Sequence, residues 1–196
     1  MINKRLLKDI EFIVELDKMK SILRQTSLIN EDRREDDAEH SWHIAIMAMV
    51  LEEYSNEKID ICKVIKMLLT HDLVEIYAGD TFCYDKKGNE DKTEREIKAA
   101  ERIFGILEED KAKEFRALWD EFEKGETSEA LFAASMDRLQ PMLNNYNNNG
   151  GTWRKFNVAK DDIYKRIAPV RKTSDELWNF VENMIEDAAE RGLIQD

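Results

Sequence analysis

The stretch from Ile59 to Asp80 reads IDICKVIKMLLTHDLVEIYAGD. Its first half, about Ile59 to Leu69, is apolar on most sides, which marks a helix central to a core. That helix delivers the adjacent pair His71-Asp72, with Glu75 one turn on, and after Gly79 the chain becomes polar and turn-like from Asp80 to Asp91. Neighbours on a helix diverge by about 100°, so His71 and Asp72 share one ion only near a helix end or a local irregularity. Taken alone, the pair is also compatible with a hydrogen-bonded core histidine.

Outward from this segment the apolar residues recur at three and four, and only seven glycines and two prolines interrupt 196 residues. The fold class that follows is all-α. A first helix is expected from about Lys4 to Gln25, with Leu6, Ile10, Ile13, Leu16, Met19 and Leu23 along one stripe. Asn30 to Glu35 reads as a loop. Asp36 and Asp37 suit a helix N-terminus, and a second helix runs from Ala38 to about Tyr54 with His40 and His43 in its first turn. Beyond Asp91, Thr93 and Glu96 suggest a capping box for a helix reaching about Leu107. Another helix covers Lys111 to Phe122 and breaks at Gly125. The next starts near Ser128, carries Leu131, Phe132, Ala134, Met136 and Leu139, and ends in the Asn/Gly cluster from Asn144 to Gly151. Two C-terminal helices follow. The last opens at Thr173, with Glu176 completing a capping box, and offers Leu177, Phe180, Val181, Met184 and Ile185 as a core face. One domain, 1–196, is expected, with its chemistry in a core of about 20–147 and C-terminal helices at 158–192 packed on it.

Apolar residues at 42% and charged residues at 37% describe a soluble globule. No apolar run approaches the roughly 20 residues a membrane-spanning helix needs, and Met1 to Lys8 lead into charged sequence. A cytoplasmic protein without membrane association is expected, with Cys62 and Cys83 as reduced thiols. The formal charge of −12 argues against a nucleic acid polymer as partner, because gripping its backbone takes a basic surface. It also repels small anions, so a phosphate ligand needs local positive charge inside a pocket, from a metal or an arginine.

Of only three histidines, His40 and His71 stand among acidic residues, in Glu39-His40-Ser41-Trp42 and His71-Asp72-Leu73-Val74-Glu75. Imidazole with carboxylate suits a divalent transition ion and leaves positions open for water or substrate. The order His, then His-Asp, then a distant Asp resembles the HD-domain superfamily. Three stretches, 34–42 (REDDAEHSW), 71–80 (HDLVEIYAGD) and Met136-Asp137-Arg138-Leu139, are similar to the motifs of its 5′-deoxynucleotidase-like hydrolases.

The resemblance implies a helical HD-domain fold and metal ligands His40, His71, Asp72 and Asp137. It also implies that Glu75 and Asp80 serve the reaction or the substrate, and that such proteins are commonly homodimers. Physical reading agrees in part. Glu75 lies four residues from His71 and three from Asp72, so a helical turn places it on their face, where it can manage a proton. Asp80 follows Gly79, where the backbone turns sharply, and is otherwise a simple turn-former. Asp137 lies in a helix of core-like residues, and a bound cation would offset the cost of burying its carboxylate. Pro141, four residues on, cannot donate to the Asp137 carbonyl, so a kink is expected there unless it starts a new segment. His43 is expected to play a supporting or structural part. The four tryptophans are read as core.

Arg24 resembles the arginine with which these nucleotidases hold the substrate phosphate; its alternative is an exposed residue at a helix C-terminus. Beside it stands Gln25, where the family member suited to deoxynucleotides carries tryptophan, so weaker discrimination between ribose and deoxyribose is expected. The activity expected is metal-dependent hydrolysis of nucleoside 5′-monophosphates. The ion is expected to be Co, Mn, Zn, Fe or Ni, with Mg as a second ion. Other phosphohydrolase activities, on a triphosphate, a cyclic nucleotide or an alarmone, are the alternative within enzymes. For larger polyphosphates these motifs supply too few cationic side chains. A non-enzymatic metal-stabilised module is the alternative outside enzymes, and the presence of Glu75 and Asp80 beside the ligands speaks against it.

Overall fold

A computed structural model describes residues 3–85 and 87–195. The first helix, α1 (Lys4–Glu15), is capped by Asn3, whose side chain accepts from the Arg5 amide, and it ends well before the expected Gln25. Leu16–Ser21 tightens into a 3₁₀ turn, and Leu23–Ser27 is a strand, β1. Its partner, β2 (Arg34–Asp36), pairs antiparallel with Leu23 opposite Asp36. Backbone pairing across 23–36 overrides the helical spacing of Ile22 and Leu23, and the Arg34 guanidinium fastens the hairpin by donating to the carbonyls of Leu23 and Arg24. Leu6, Ile10 and Ile13 do not face the core as expected: α1 buries Phe12, and those three are about half exposed.

Asp36 ends the hairpin and starts α2 (Asp37–Leu51) through a full capping box: its carboxylate accepts from the Glu39 amide at 2.8 Å, and Glu39 accepts from the Asp36 amide at 3.1 Å. Asp60 caps α3 (Ile61–Thr70). Val64, Met67 and Leu68 of α3 are fully buried between α2 and later helices, as a central helix requires. The α-helix then gives way to a 3₁₀ turn at His71–Val74, followed by the single turn α4 (Glu75–Ala78).

Next come α5 (Lys92–Phe104) and α6 (Glu109–Lys124), the latter closed by Gly125 in the left-handed region. The expected Thr93–Glu96 capping box does not form. Asp91 precedes the helix without a side-chain cap, and Glu96 is instead turned inward and paired with Lys92 at 3.2 Å. Helix α7 (Ser128–Asn147) runs through Pro141 as one helix, so Pro141 does not start a new segment. A short helix absent from the expectations, α8 (Gly151–Lys155), follows. Its entry is tied down by Asn145, which accepts from the Thr152 amide and hydroxyl. Then α9 (Lys160–Thr173) lies along α7, and α10 (Asp175–Glu190) packs against α9. The cap of α10 is Ser174, one residue later than expected, because the Thr173 hydroxyl is spent on Ser135 and the end of α9. Of the expected core face of α10, Phe180 is exposed, whereas Leu177, Val181, Met184 and Ile185 are buried.

Two apolar clusters result. The larger joins α2, α3, α7, α9 and α10 around Phe132, Met136 and Ile185; the smaller joins α1, α5 and α6 around Phe104, Ile103 and Trp119. Each fully buried side chain of this kind contributes roughly 1.5–3 kcal/mol. The 3₁₀ turn at His71 lies at the seam, since Met67 and Leu68 belong to one cluster and Leu73 and Val74 to the other. Among the described residues no helix is long and apolar enough to cross a membrane. Cys62 and Cys83 are free thiols.

Candidate active site

A tightened turn lets the adjacent side chains of His71 and Asp72 face one point. Because the chain leaves α-helical geometry at His71, the side chains of His71 and Asp72 converge, with His71 Nε2 3.1 Å from Asp72 Oδ1. His40, from the first turn of α2, lies fully buried beside them, its Nε2 3.9 Å from Asp72 Oδ2. One ligand atom from each of these three lies within 4.8 Å of the others. Asp137 arrives from the middle of α7, its Oδ1 3.1 Å from His40 Nε2 and 3.8 Å from His71 Nε2. The four residues expected to act together are therefore brought together.

Hydrogen bonds fix which nitrogen of each ring is free. His71 Nδ1 lies 2.8 Å from the Leu68 carbonyl, which only accepts, so Nδ1 carries the proton and Nε2 is the lone pair. For His40 the same result comes through an amide. Gln140 donates through Nε2 to Glu35 at 2.5 Å, which turns its Oε1 toward His40 Nδ1 at 3.0 Å and makes that nitrogen the donor. Both rings thus turn Nε2 toward the carboxylates of Asp72 and Asp137, and among the described residues His71 Nε2 is buried without a hydrogen-bond partner. With neutral rings this sets acceptor against acceptor, which is repulsive until a positive charge, a proton or a metal ion, lies between them. The protonation tendencies express the same need. Burial opposes charge on His71, yet Asp72 and Asp137 overcome it and hold its pKa well above the usual imidazole range. Burial likewise opposes the charge of Asp137, and His40 and His71 overcome it and hold its pKa well below the usual range. Nitrogen and oxygen donors in this arrangement fit a divalent transition ion.

A cavity of about 530 Å³ opens onto the cluster. Glu75, Asp80, Arg24 and Gln25 all line it, together with His71, Asp72 and Asp137. Glu75 is buried, and burial followed by the charge of Asp72 pushes its pKa up to about 9. One of its oxygens, Oε2, has no hydrogen-bond partner among the described residues. Asp80 is placed by Gly79, whose φ of +78° and ψ of 140° form a turn that suits glycine. The loop behind it is pinned by Arg95, which donates to Ala78 O at 2.6 Å, Gly88 O at 3.0 Å and Thr81 Oγ1 at 3.1 Å.

Arg24 is not the exposed helix-end residue that was the alternative. It projects from β1 into the interior, bonds Asp72 at 2.8 Å, and lies 3.4 Å from Asp37 and 3.8 Å from Glu35. Asp37 is fully buried, and burial, followed by Asp72, pushes its pKa up to about 8. His43 touches Gln140 at 3.3 Å and so stands behind His40. Trp42, read as core, is exposed, whereas Trp119 and Trp153 are buried.

Sequence reasoning missed Glu35 and Gln140, whose partnership spans 105 positions and leaves no local mark. It missed Asp37 as a partner of Arg24, having read it as a helix-start residue. It also missed the cations lining the cavity outside the motifs, chiefly Lys92 and Arg166. Arg138 stood within a quoted motif but drew no role.

The family model described as HD domain matches residues 16–178. The 5′-deoxynucleotidase HDDC2 of Homo sapiens is 32% identical over 114 residues, 58% of this chain and 54% of that protein. The match thus spans about half the length of the human relative. The 5′-deoxynucleotidase HDDC2 of Dictyostelium discoideum is 33% identical over 144 residues, covering 70% of this chain and 75% of that one. Among solved structures, a predicted metal-dependent phosphohydrolase from Magnetospirillum magnetotacticum MS-1 shares 47% identity over 99% of this chain and 100% of its own, with a TM-score of 0.94. The PH0347 protein of Pyrococcus horikoshii OT3, at 24% identity and a TM-score of 0.65, shares the fold.

Proposed function

We propose, from the premise that this chain belongs to the HD-domain family, that it hydrolyses nucleoside 5′-monophosphates and that His40, His71, Asp72 and Asp137 hold a divalent transition ion. The observation that carries this reading is the convergence of two buried imidazole Nε2 atoms on two carboxylates, with each Nδ1 committed elsewhere. The names of the relatives, 5′-deoxynucleotidase and metal-dependent phosphohydrolase, support the substrate class and the chemistry.

When bound, such an ion supplies Lewis-acid activation of water and counter-charge for the phosphoryl oxygens. The remaining tasks fall to the side chains around it. Glu75 takes the proton of the attacking water, a role for which it lines the cavity beside Asp72 and for which the positive charge of a bound ion would favour its ionised form. Arg24 orients the phosphate while anchored on Asp72. Asp80, carried on the Gly79 turn, accepts from a sugar hydroxyl or helps pass the proton on. Gln25 lines the same cavity, and a flexible amide there leaves room for a 2′-hydroxyl, so both ribose and deoxyribose are accepted.

Cobalt, manganese, zinc, iron and nickel all suit two imidazoles and two carboxylates, and magnesium suits a second, more hydrated position. Two free thiols fit a reducing compartment, the cytoplasm. A homodimer is proposed through the exposed apolar faces of α1 and α2. The deciding experiment is a phosphate-release screen over matched ribo- and deoxyribonucleoside 5′-monophosphates with each of these metals. Release from monophosphates is expected, and no release from any of them with any metal would overturn the reading.

A further inference from the structure

Two further guanidinium groups face the same cavity with few direct ion pairs. Arg138 follows Asp137 on α7, Arg166 lies on α9, and both line the cavity. Arg166 reaches Asp137 Oδ2 at 3.5 Å, the oxygen other than the one near His40 and His71. Among the described residues Arg138 has no ion pair, its Nε is buried without a hydrogen-bond partner, and it lies near enough to Arg166 to feel that charge. Arg24, in contrast, is surrounded by Asp72, Asp37 and Glu35.

Two like charges face one cavity with Asp137 as the one carboxylate that pairs with either among the described residues and Glu123 farther off, an arrangement that is costly unless an anion joins them. Guanidinium forks match the oxygens of a phosphate, and two of them can take a dianion together. Because Arg166 touches a member of the His/Asp cluster, an anion held by the pair lies at the reacting end of the cavity.

We propose that Arg138 and Arg166 clamp the phosphate that is being hydrolysed, as a second cationic arm besides Arg24. The identity of that phosphate rests on the nucleotidase reading; the anion site itself rests on the two arginines that face the cavity side by side. Neither residue belongs to the ligand set, and neither takes part in a proton transfer. Their work is to hold the dianion and to offset charge that grows on its oxygens.

The probe is inorganic phosphate, titrated by calorimetry into the metal-loaded protein and into its Arg166→Gln, Arg138→Gln and Lys165→Gln variants. Lys165 lies on the same helix, is mostly exposed and pairs with Asp162, so it controls for loss of one positive charge. Phosphate affinity should fall on the order of 10- to 100-fold in each arginine variant and stay unchanged in Lys165→Gln. KM for 5′-monophosphates should rise with it, Tm should hold, and Arg166→Lys should recover part of the loss. Arg166 is partly exposed, so its variants test the idea even where Arg138→Gln folds poorly. Unchanged phosphate affinity in Arg166→Gln, with or without a fall in Tm, overturns the proposal. So does a defect confined to nucleoside 3′,5′-bisphosphates, which would place a different phosphate on the pair. Loss of phosphate binding in a protein that hydrolyses no nucleotide would support the anion site while retiring the proposed activity.

Discussion

Gln140 shows how much a single amide can decide. Its Nε2 is committed to Glu35, its Oε1 is thereby committed to His40 Nδ1, and His40 is left with its lone pair on the side of Asp72 and Asp137. Partners of this kind set ring orientation and basicity, and losing one typically costs about 10- to 100-fold in metal affinity. Gln140→Leu keeps the volume and removes the acceptor, so it should bind cobalt or manganese that much more weakly, as read by titration against a competing chelator. Wild-type affinity would mean that the ring is held by packing alone. Glu75 makes a different demand. Glu75→Gln preserves shape and removes basicity, so metal content by elemental analysis should stay near wild type while turnover falls about 10²- to 10⁴-fold. Near-normal turnover would assign the proton to another group. The four residues proposed as ligands stood out in the sequence through the resemblance of their motifs to the HD-domain superfamily. Gln140, Glu35 and Arg166 did not, because their partners lie 29 to 105 positions away and only the fold brings them together.

At the scale of elements, sequence periodicity succeeded where burial enforces it and failed where pairing or solvent does. α3 and α7 were readable because both are driven into the core, α7 on all sides from Phe132 to Asp137; α2 was readable mainly from its Asp36 start. The segment 16–27 was not, because a hairpin with 34–36 supplies backbone partners that no helical stripe reveals, and Arg24 moved from a helix end to a strand. The capping boxes divide in the same way. Asp36, expected only as a helix-start residue, forms a full box with Glu39, which also pairs with Arg33 at the surface, whereas the expected partner Glu96 is drawn inward by Lys92. Gly79 is an element boundary with a consequence for the site. No neighbouring atom crowds a Cβ there, but the backbone has φ of +78°, which side-chain-bearing residues rarely adopt. Gly79→Ala should therefore cost on the order of 1–3 kcal/mol through strain and shift Asp80. A lower Tm together with a raised KM is expected, and a protein unchanged in both would show that the turn relaxes without moving Asp80.

For the whole molecule, the unresolved physical tension is between charge and apolar surface. A chain of net charge −12 repels its own copies, yet it exposes Leu6, Leu7, Ile10, Ile13 and Val14 on α1 and Trp42, Ile46, Met49 and Val50 on α2, each between 41% and 66% accessible. Isolated exposed apolar residues are ordinary; two stripes at helical spacing are not. The spacing on α1, at 6, 7, 10, 13 and 14, is that of a buried helix face, which is why it read as core in the sequence. A second copy of the chain would give it the same environment, since a twofold axis lets one patch meet itself. A stable interface of this kind buries about 800 Å² per partner, within reach of two such helices. Sedimentation at micromolar concentration should therefore give twice the mass of one chain, and the dimer should hold or strengthen with salt, which screens the repulsion between copies and leaves an apolar contact intact. Val14→Glu and Val50→Glu place a charge in each stripe at sites that are more than 60% exposed and so leave the fold intact. Either should shift the protein to monomer at unchanged helical content. A wild-type protein that sediments as a monomer across that range would leave both stripes facing water and would refute the dimer.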